Sequence, residues 1–325
     1  MKIAAEPRQS PSIAAIQRIR ATTIRSFSIL PLSACAVALL LAGAAGARVE
    51  DARPALGSAA ALSARYAALK DELGNNPFHR PIHLDSTEGK DSVAGEIFAL
   101  LNAPFATTSG VLEQPRYWCD ILILHLNNKY CRPSAENSGT VLHVSVGRKS
   151  EQSLADAYRV NFAFRVTAKP TDYLQVNLLA DDGPVSTRNY RVVLEATPAD
   201  DGRTFIRLSY GYSFGMVGQL AMRTYLNTIG RDKVGFSVLP ADSGKAPQPV
   251  GGMRGAVERN TMRYYLALEA FLGALSVPPG ARLEKSLRDW FAATEVYPRQ
   301  LHEMEQNEYL AMKRKEYSRQ QAEMN

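Results

Sequence analysis

Gly211-Tyr212-Ser213-Phe214-Gly215 has the GxSxG spacing that exposes a serine hydroxyl as a nucleophile at a sharp strand-to-helix turn. Acyl transfer by Ser213 would need an acid and then a histidine downstream, and the only later histidine is His302, in a charged terminal stretch. The preceding "RTFIRLSYGY" alternates like a half-exposed antiparallel strand, whereas a hydrolase elbow ends a buried parallel one. A turn permitted by glycine is the competing reading of the same five residues. Asp120 and His125 suggest an acid/base pair, but on a helix five residues diverge by about 140°, which favours a solvated or capping pair. Glu88, Asp91 and Glu96 suggest a cation site, or else acids gathered at a helix start, where negative charge is favourable. The five histidines (His79, His83, His125, His143, His302) are scattered and no HExxH occurs, so the sequence calls for neither a metal nor a cofactor.

Two cysteines flank an apolar run in "WCDILILHLNNKYC". Along one continuous helix Cys119 and Cys131 would stand about 18 Å apart, while a disulfide needs Cα atoms within ~7 Å. A bridge therefore requires the chain to fold back, with Asn127-Asn128 as the bend; two buried free thiols are the alternative. Redox catalysis would want close CxxC spacing, which is absent.

The compartment favours the bridge. Arg18, Arg20 and Arg25 precede the apolar "FSILPLSACAVALLLAGAAG" and the small residues Ala45-Gly46-Ala47, the order of an export signal. The reading is a cleaved leader over residues 1–47, with a retained membrane anchor or a lipoprotein acceptor at Cys35 as alternatives. The expected location is periplasmic or otherwise in the cell envelope, where disulfides persist. The net charge of +6 falls to +2 without the leader, which carries five basic residues and one acid. Nucleic acid is thereby disfavoured as a partner.

Domain boundaries are expected at 48–76 (N-terminal helical extension), 77–277 (main domain) and 278–325 (C-terminal helical extension). "RPIHLDSTEG" reads as a strand, "DSVAGEIFALLNAPF" as a short helix, and Gly110 to Leu126 as a second helix or irregular piece. From Thr140 the period becomes two. "TVLHVSVGR", "AYRVNFAFRV", "DYLQVNLLAD", "TRNYRVVLEA" and "RTFIRLSYGY" form an antiparallel meander, with a helix over Met216 to Ile229 and then "KVGFSVLP" as a sixth strand. Arg159, Arg165, Arg188, Arg191 and Arg207 recur at outward positions, a solvated face or a basic stripe for anionic headgroups or an acidic partner. Met253 to Leu275 is a long helix whose stripe runs through Val257, Thr261, Tyr264, Tyr265, Leu268, Phe271, Leu272 and Leu275. The charged stretch from Leu301 to the end reads as a helix with a frayed terminus.

This order, with "GEIFALLNAPF" before the meander and "RNTMRYYLALEAFL" on the closing helix, resembles the START-like, Bet v 1-like (SRPBCC, helix-grip) superfamily, as an exported bacterial member, over roughly Pro81 to Leu275. The helix between the fifth and sixth strands departs from the simple pattern. The resemblance implies an α+β fold, a curved antiparallel sheet of about six to seven strands gripped by the long C-terminal helix, enclosing a cavity for a lipid, sterol or other hydrophobic small molecule. On that reading Phe162, Phe164, Tyr190, Tyr210, Tyr212, Tyr264 and Phe271 line the site, or are plain core. The expected function is non-enzymatic: holding or shuttling such a molecule. An interaction or structural protein with a filled interior, its C-terminal helices binding a partner, is the alternative, and a serine hydrolase using Ser213 the third reading.

Overall fold

The computed structural model describes residues 57–168, 170–216, 218–220, 233–239 and 247–322. The leader lies outside them, as does most of the helix expected over Met216 to Ile229.

An eight-stranded antiparallel sheet in the order β1-β2-β8-β7-β6-β5-β4-β3 forms the body. Its strands are β1 (Ile82–Glu88), β2 (Ser92–Leu101), β3 (Asn128–Glu136), β4 (Gly139–Val146), β5 (Tyr158–Ala168), β6 (Leu174–Asp182), β7 (Thr187–Pro198) and β8 (Thr204–Phe214). The helices are α1 (Ala59–Gly74), α2 (Phe105–Leu112), α3 (Pro115–Leu122), α4 (Gly252–Ala274), α5 (Pro279–Glu295), α6 (Pro298–Leu301) and α7 (Gln306–Ala322). The molecule is α+β, with α4 gripped by the sheet and further helices at both ends.

Three expectations are corrected. "DSVAGEIFALL" is strand β2, not a helix. It lies between β1 and β8 with α4 on one face and α1 on the other, so Gly95 to Leu101 have no exposed face and the period of two is erased. A strand over "NKYCRPSAE" (β3) was not expected: its far end carries Pro133 and exposed residues, yet it pairs with β4 from Asn128 to Glu136. "KVGFSVLP" is not in the sheet, because β8 already has β2 and β7 on its two sides. Instead β9 (Val238–Leu239) pairs with β10 (Gln248–Pro249) in a small separate ribbon. The meander does hold six consecutive strands, but it starts at β3 rather than β4.

On the outer face α1 seals one end of the sheet, packing Leu62, Tyr66, Leu69 and Leu73 on Phe98, Leu100, Tyr173 and Phe205. Each fully buried leucine contributes about 1.5–3 kcal/mol. Arg207 lies in this covered region, not on a wet stripe: its guanidinium bridges Glu96 at 2.6 Å and Glu195 at 2.7 Å. The other four arginines, Arg159, Arg165, Arg188 and Arg191, are exposed.

The inner face carries α4, which packs chiefly on β2, with β1 and β8 beside it. The two backbones come close at Gly95, where an added Cβ would sit 2.3 Å from the Thr261 hydroxyl and 3.4 Å from the Val257 carbonyl. Only glycine admits the helix backbone so near the strand. The back of α4 is covered in turn: Met262, Leu266 and Arg263 are buried, and α5 lies against the helix. Gly95→Ala should therefore lower the free energy of unfolding by about 1–3 kcal/mol through overpacking, while Gly110→Ala, in α2 with open space around it, should be neutral or stabilising by up to about 1 kcal/mol. Urea denaturation of the two variants measures the contrast.

Candidate functional site

Because α4 hugs the β1-β2-β8 end, the sheet leaves room toward β4–β7. A cavity of about 60 Å³ lies there, walled by Val144, Val146, Val160, Phe162, Leu178 and Val192 from the strands, with Leu122 of α3 across from them. Tyr190, Tyr210, Tyr264, Asn128 and Pro184 complete the lining. At ~10–15 Å³ for each water-sized group, the space holds roughly four to six such groups.

Of the seven expected lining residues, Phe162, Tyr190, Tyr210 and Tyr264 border the cavity. Phe164, Tyr212 and Phe271 are core instead. Phe164 lies 6.5 Å from Trp118, Phe271 lies 5.6 Å from Tyr117, and Tyr212 stacks on Tyr190 at 5.1 Å. Val144, Val146 and Val160 were legible as inward strand positions but carried no polar or aromatic signal. Leu122 and Asn128 were not, since they come from the stretch whose fold-back the sequence left open.

The disulfide Cys119–Cys131 closes that stretch, its Cα atoms 5.1 Å apart. It ties α3 to β3, and the chain turns between them as expected. Asn127 Nδ2 donates to the Gly147 carbonyl at 2.6 Å and Asn128 Nδ2 to the Leu122 carbonyl at 2.8 Å. A covalent loop of this length contributes about 3 kcal/mol in the chain-entropy view. From outside, α7 grips the same loop: Lys313 Nζ donates to the carbonyls of His125 and Asn128 at 2.7 and 2.9 Å, and Tyr309 Oη donates to that of Leu124 at 2.9 Å. The charged terminal helix thus buries two lysine contacts, Lys313 and Lys129, both on Glu316. Burial pushes Lys313 down to about 8 despite the Glu316 carboxylate.

His125 sits in this loop, buried, with its ring stacked 4.7 Å from Tyr264. Its Nδ1 accepts from the Asn127 amide at 3.1 Å, so the proton resides on Nε2, which has no hydrogen-bond partner of ordinary geometry among the described residues. Burial, reinforced by the cations Arg263, Lys313 and Lys149, holds its pKa well below the usual histidine value. Asp120 points elsewhere and is pushed up to about 6 by burial, against Arg116; the two do not form a pair. Burial also raises Tyr210 well above its ordinary value, and Tyr264 to about 12. All three lining or neighbouring rings are uncharged at neutral pH.

One rim of the cavity is backbone-strained. Pro184 leads into Val185 (φ 55°) and Ser186 (φ 59°), and Asn189 (φ 54°) follows. A β-branched residue in the left-handed region costs on the order of 1–3 kcal/mol.

The remaining chemical candidates do not converge. Ser213 is the penultimate residue of β8, but the strand is antiparallel to both neighbours and pairs Ser213 with Ser92 and Arg188; it makes no hydrogen bond to a histidine among the described residues, and His302 is held by Glu295 at 2.9 Å. Glu88, Asp91 and Glu96 surround a strand hairpin rather than a helix start. Glu96 is taken by Arg207 and Glu88 accepts from the Arg254 amide at 3.2 Å. No group of three or more His, Cys, Asp or Glu among the described residues is placed to hold a metal.

No family model and no curated protein matches the chain. Among solved structures it is similar to human StAR-related lipid transfer protein 5 (TM-score 0.29, 11% identity, over 52% of this chain and 89% of that one). It is also similar to norcoclaurine synthase from Thalictrum flavum (0.27, 11%, over 46% and 77%) and to Ara h 8.0201 (0.31, 13%, over 60% and 99%). At this level of similarity they say nothing about what the cavity holds.

The buried neutral histidine has a measurable consequence. The folded chain leaves His125 unprotonated below the pH, about 6.5, at which the unfolded chain gains that proton. Stability attributable to it is present above pH 6.5 and is lost as pH falls, by up to about 1.4 kcal/mol per pH unit. His125→Phe, which keeps the stack on Tyr264, should lose about 1–2 kcal/mol less than wild type between pH 7 and 5 in chemical denaturation. Equal losses would contradict the assignment.

Proposed function

We propose that this chain is a non-enzymatic binding protein that holds a small hydrophobic molecule between its sheet and α4, in the cell envelope. The observation that carries the reading is the cavity, with aliphatic and aromatic walls and few polar groups, the composition of a small-molecule site. Its volume sets the size class. Sites for drug-sized ligands occupy ~300–1,000 Å³, so about 60 Å³ favours one ring or a short chain over a sterol or a two-chain lipid. The arginine-and-apolar leader supports export, and the disulfide is consistent with an oxidising compartment. Exposed Arg159, Arg165, Arg188 and Arg191 are the groups that would meet an anionic membrane surface.

A second reading, an interaction protein with a filled interior, is favoured by the same small volume and by the close packing of α5 and α7 around α4 and β3. Native mass spectrometry of the full chain, expressed with its leader and purified from the envelope, separates the two. The carrier reading expects a chain beginning near Arg48 that retains an adduct lighter than a membrane phospholipid. It also expects Leu178→Phe, which fills the cavity, to lose the adduct at unchanged or higher stability. A bare chain that binds no apolar probe, and that Leu178→Phe destabilises by the ~1–3 kcal/mol of an overpacked core, supports the filled interior.

A further inference from the structure

The burial of its lining residues locates the mouth of the cavity. Val146, Pro184, Tyr190 and Tyr264 are half-buried, and the other lining residues are buried. Three of these four lie at one end of the sheet. Val146 closes β4 opposite Tyr158, the first residue of β5. Pro184 begins the connection from β6 to β7, which lies against β5, and Tyr190 follows in β7. The fourth, Tyr264, has the His125 ring stacked on it at 4.7 Å. Elsewhere the walls are fastened: α4 lies almost on β2 at Gly95 with α5 behind it, and the disulfide and α7 hold α3 and β3.

The β6–β7 turn beside this mouth is held against its own backbone preferences. Val185, Ser186 and Asn189 have φ of 55°, 59° and 54°, a region in which a β-branched residue is an outlier. Such a conformation persists only while its surroundings over-determine it. Val185 gains little from burial, being 46% exposed; the determinants are Thr187 and Tyr190. Thr187 Oγ1 donates to the Pro184 carbonyl. A hydroxyl has one proton to give, so Tyr190 Oη is the donor to Thr187 Oγ1, at 2.8 Å. The tyrosine ring lies over Gly183, leaving no room there for a Cβ, and stacks on Tyr212 at 5.1 Å. The ladder to β8 skips from Arg188 to Arg191, so side-chain contacts replace main-chain pairing at this point. Gly218 backs the turn on its β8 side, where an added Cβ would sit 3.2 Å from the Val185 carbonyl, and the side toward β5 is left to open.

Resting on the binding reading above, we infer that the turn from Gly183 to Tyr190 is the door of the cavity: a small apolar molecule enters and leaves between it and β5, and the hydrogen bond from Tyr190 to Thr187 is the latch that sets how often the door opens. Tyr190 is then a positioning residue as well as part of the wall. Breaking its bond frees Thr187 and the Pro184 carbonyl, lets Val185 and Ser186 return to ordinary φ, and draws the ring away from Gly183. The strain held in the closed turn favours that opening, and the latch opposes it.

Fluorobenzene, a single-ring probe, tests this on the full chain by fluorine exchange NMR, which reads association and dissociation rates separately. Tyr190→Phe and Thr187→Val each remove the latch while keeping the side chain's size. Both rates should rise about two- to tenfold in each variant, the worth of one neutral hydrogen bond, with Kd held within about twofold. The double variant should be no faster than either single one, and Thr187→Ser, which keeps the hydroxyl, should restore the wild-type rates. Bound probe also certifies that a variant is folded. A hydrogen bond that merely stabilised the fold would leave the association rate where it was. If the probe binds and neither variant raises that rate, or if Kd weakens through dissociation alone, the door is overturned while the apolar cavity stands. If the wild-type chain binds no fluorobenzene, the door and the binding reading fall together.

Discussion

The close approach of α4 to β2 governs the rest of the molecule. With no side chain at Gly95, the Thr261 turn of the helix lies almost against the strand backbone, and the helix is anchored to one end of the sheet, on β1, β2 and β8. A twisted sheet cannot follow a straight helix along its whole width. Space opens toward β4–β7, and side chains from several strands, α3 and α4 converge on it without filling it. A larger residue at position 95 would push the helix outward and change the volume at the far end as well as the stability.

The far end needs its own fastening, and the chain supplies it through polar groups rather than apolar ones. The disulfide fixes α3 to β3, and α7 closes over the loop between them with Lys313 on two main-chain carbonyls and Gln320 Oε1 accepting from the Cys131 amide at 3.0 Å. Burying lysines is costly unless each is paired and hydrogen-bonded. Here Lys313 makes three hydrogen bonds and Lys129 one to Glu316 and a contact with Met312 Sδ. Such a network is a poor source of net stability and a strict source of register: the floor of the cavity has one geometry because its donors and acceptors match in one arrangement.

Much of this was legible in the sequence where a face was left to solvent. Strands β5 and β6 alternate because one side is wet, and the inward phase of Val160, Phe162 and Phe164 follows directly. The stripe on α4 picked out its sheet-facing side, from Val257 to Leu272. Legibility failed where both sides are covered. The residues of β2 are buried in succession and mimic a helix, and α7 reads as a solvated helix because Lys313, Glu316 and Gln320 are charged or polar yet buried by mutual pairing. Asn128 and Leu122 reach the cavity only because the disulfide loop folds back, a long-range constraint that no local period records.

The central claim is that the space beside Tyr264 accepts a small apolar molecule. Intermolecular nuclear Overhauser effects, measured on methyl-labelled chain with a saturating small ring compound, test it most directly. The account predicts transfer from the ring to the methyl groups of Val144, Val160, Leu178 and Val192 together, since these line one space. Transfer confined to the exposed Met216, Leu220, Val238 and Leu239, or none at all, would contradict it.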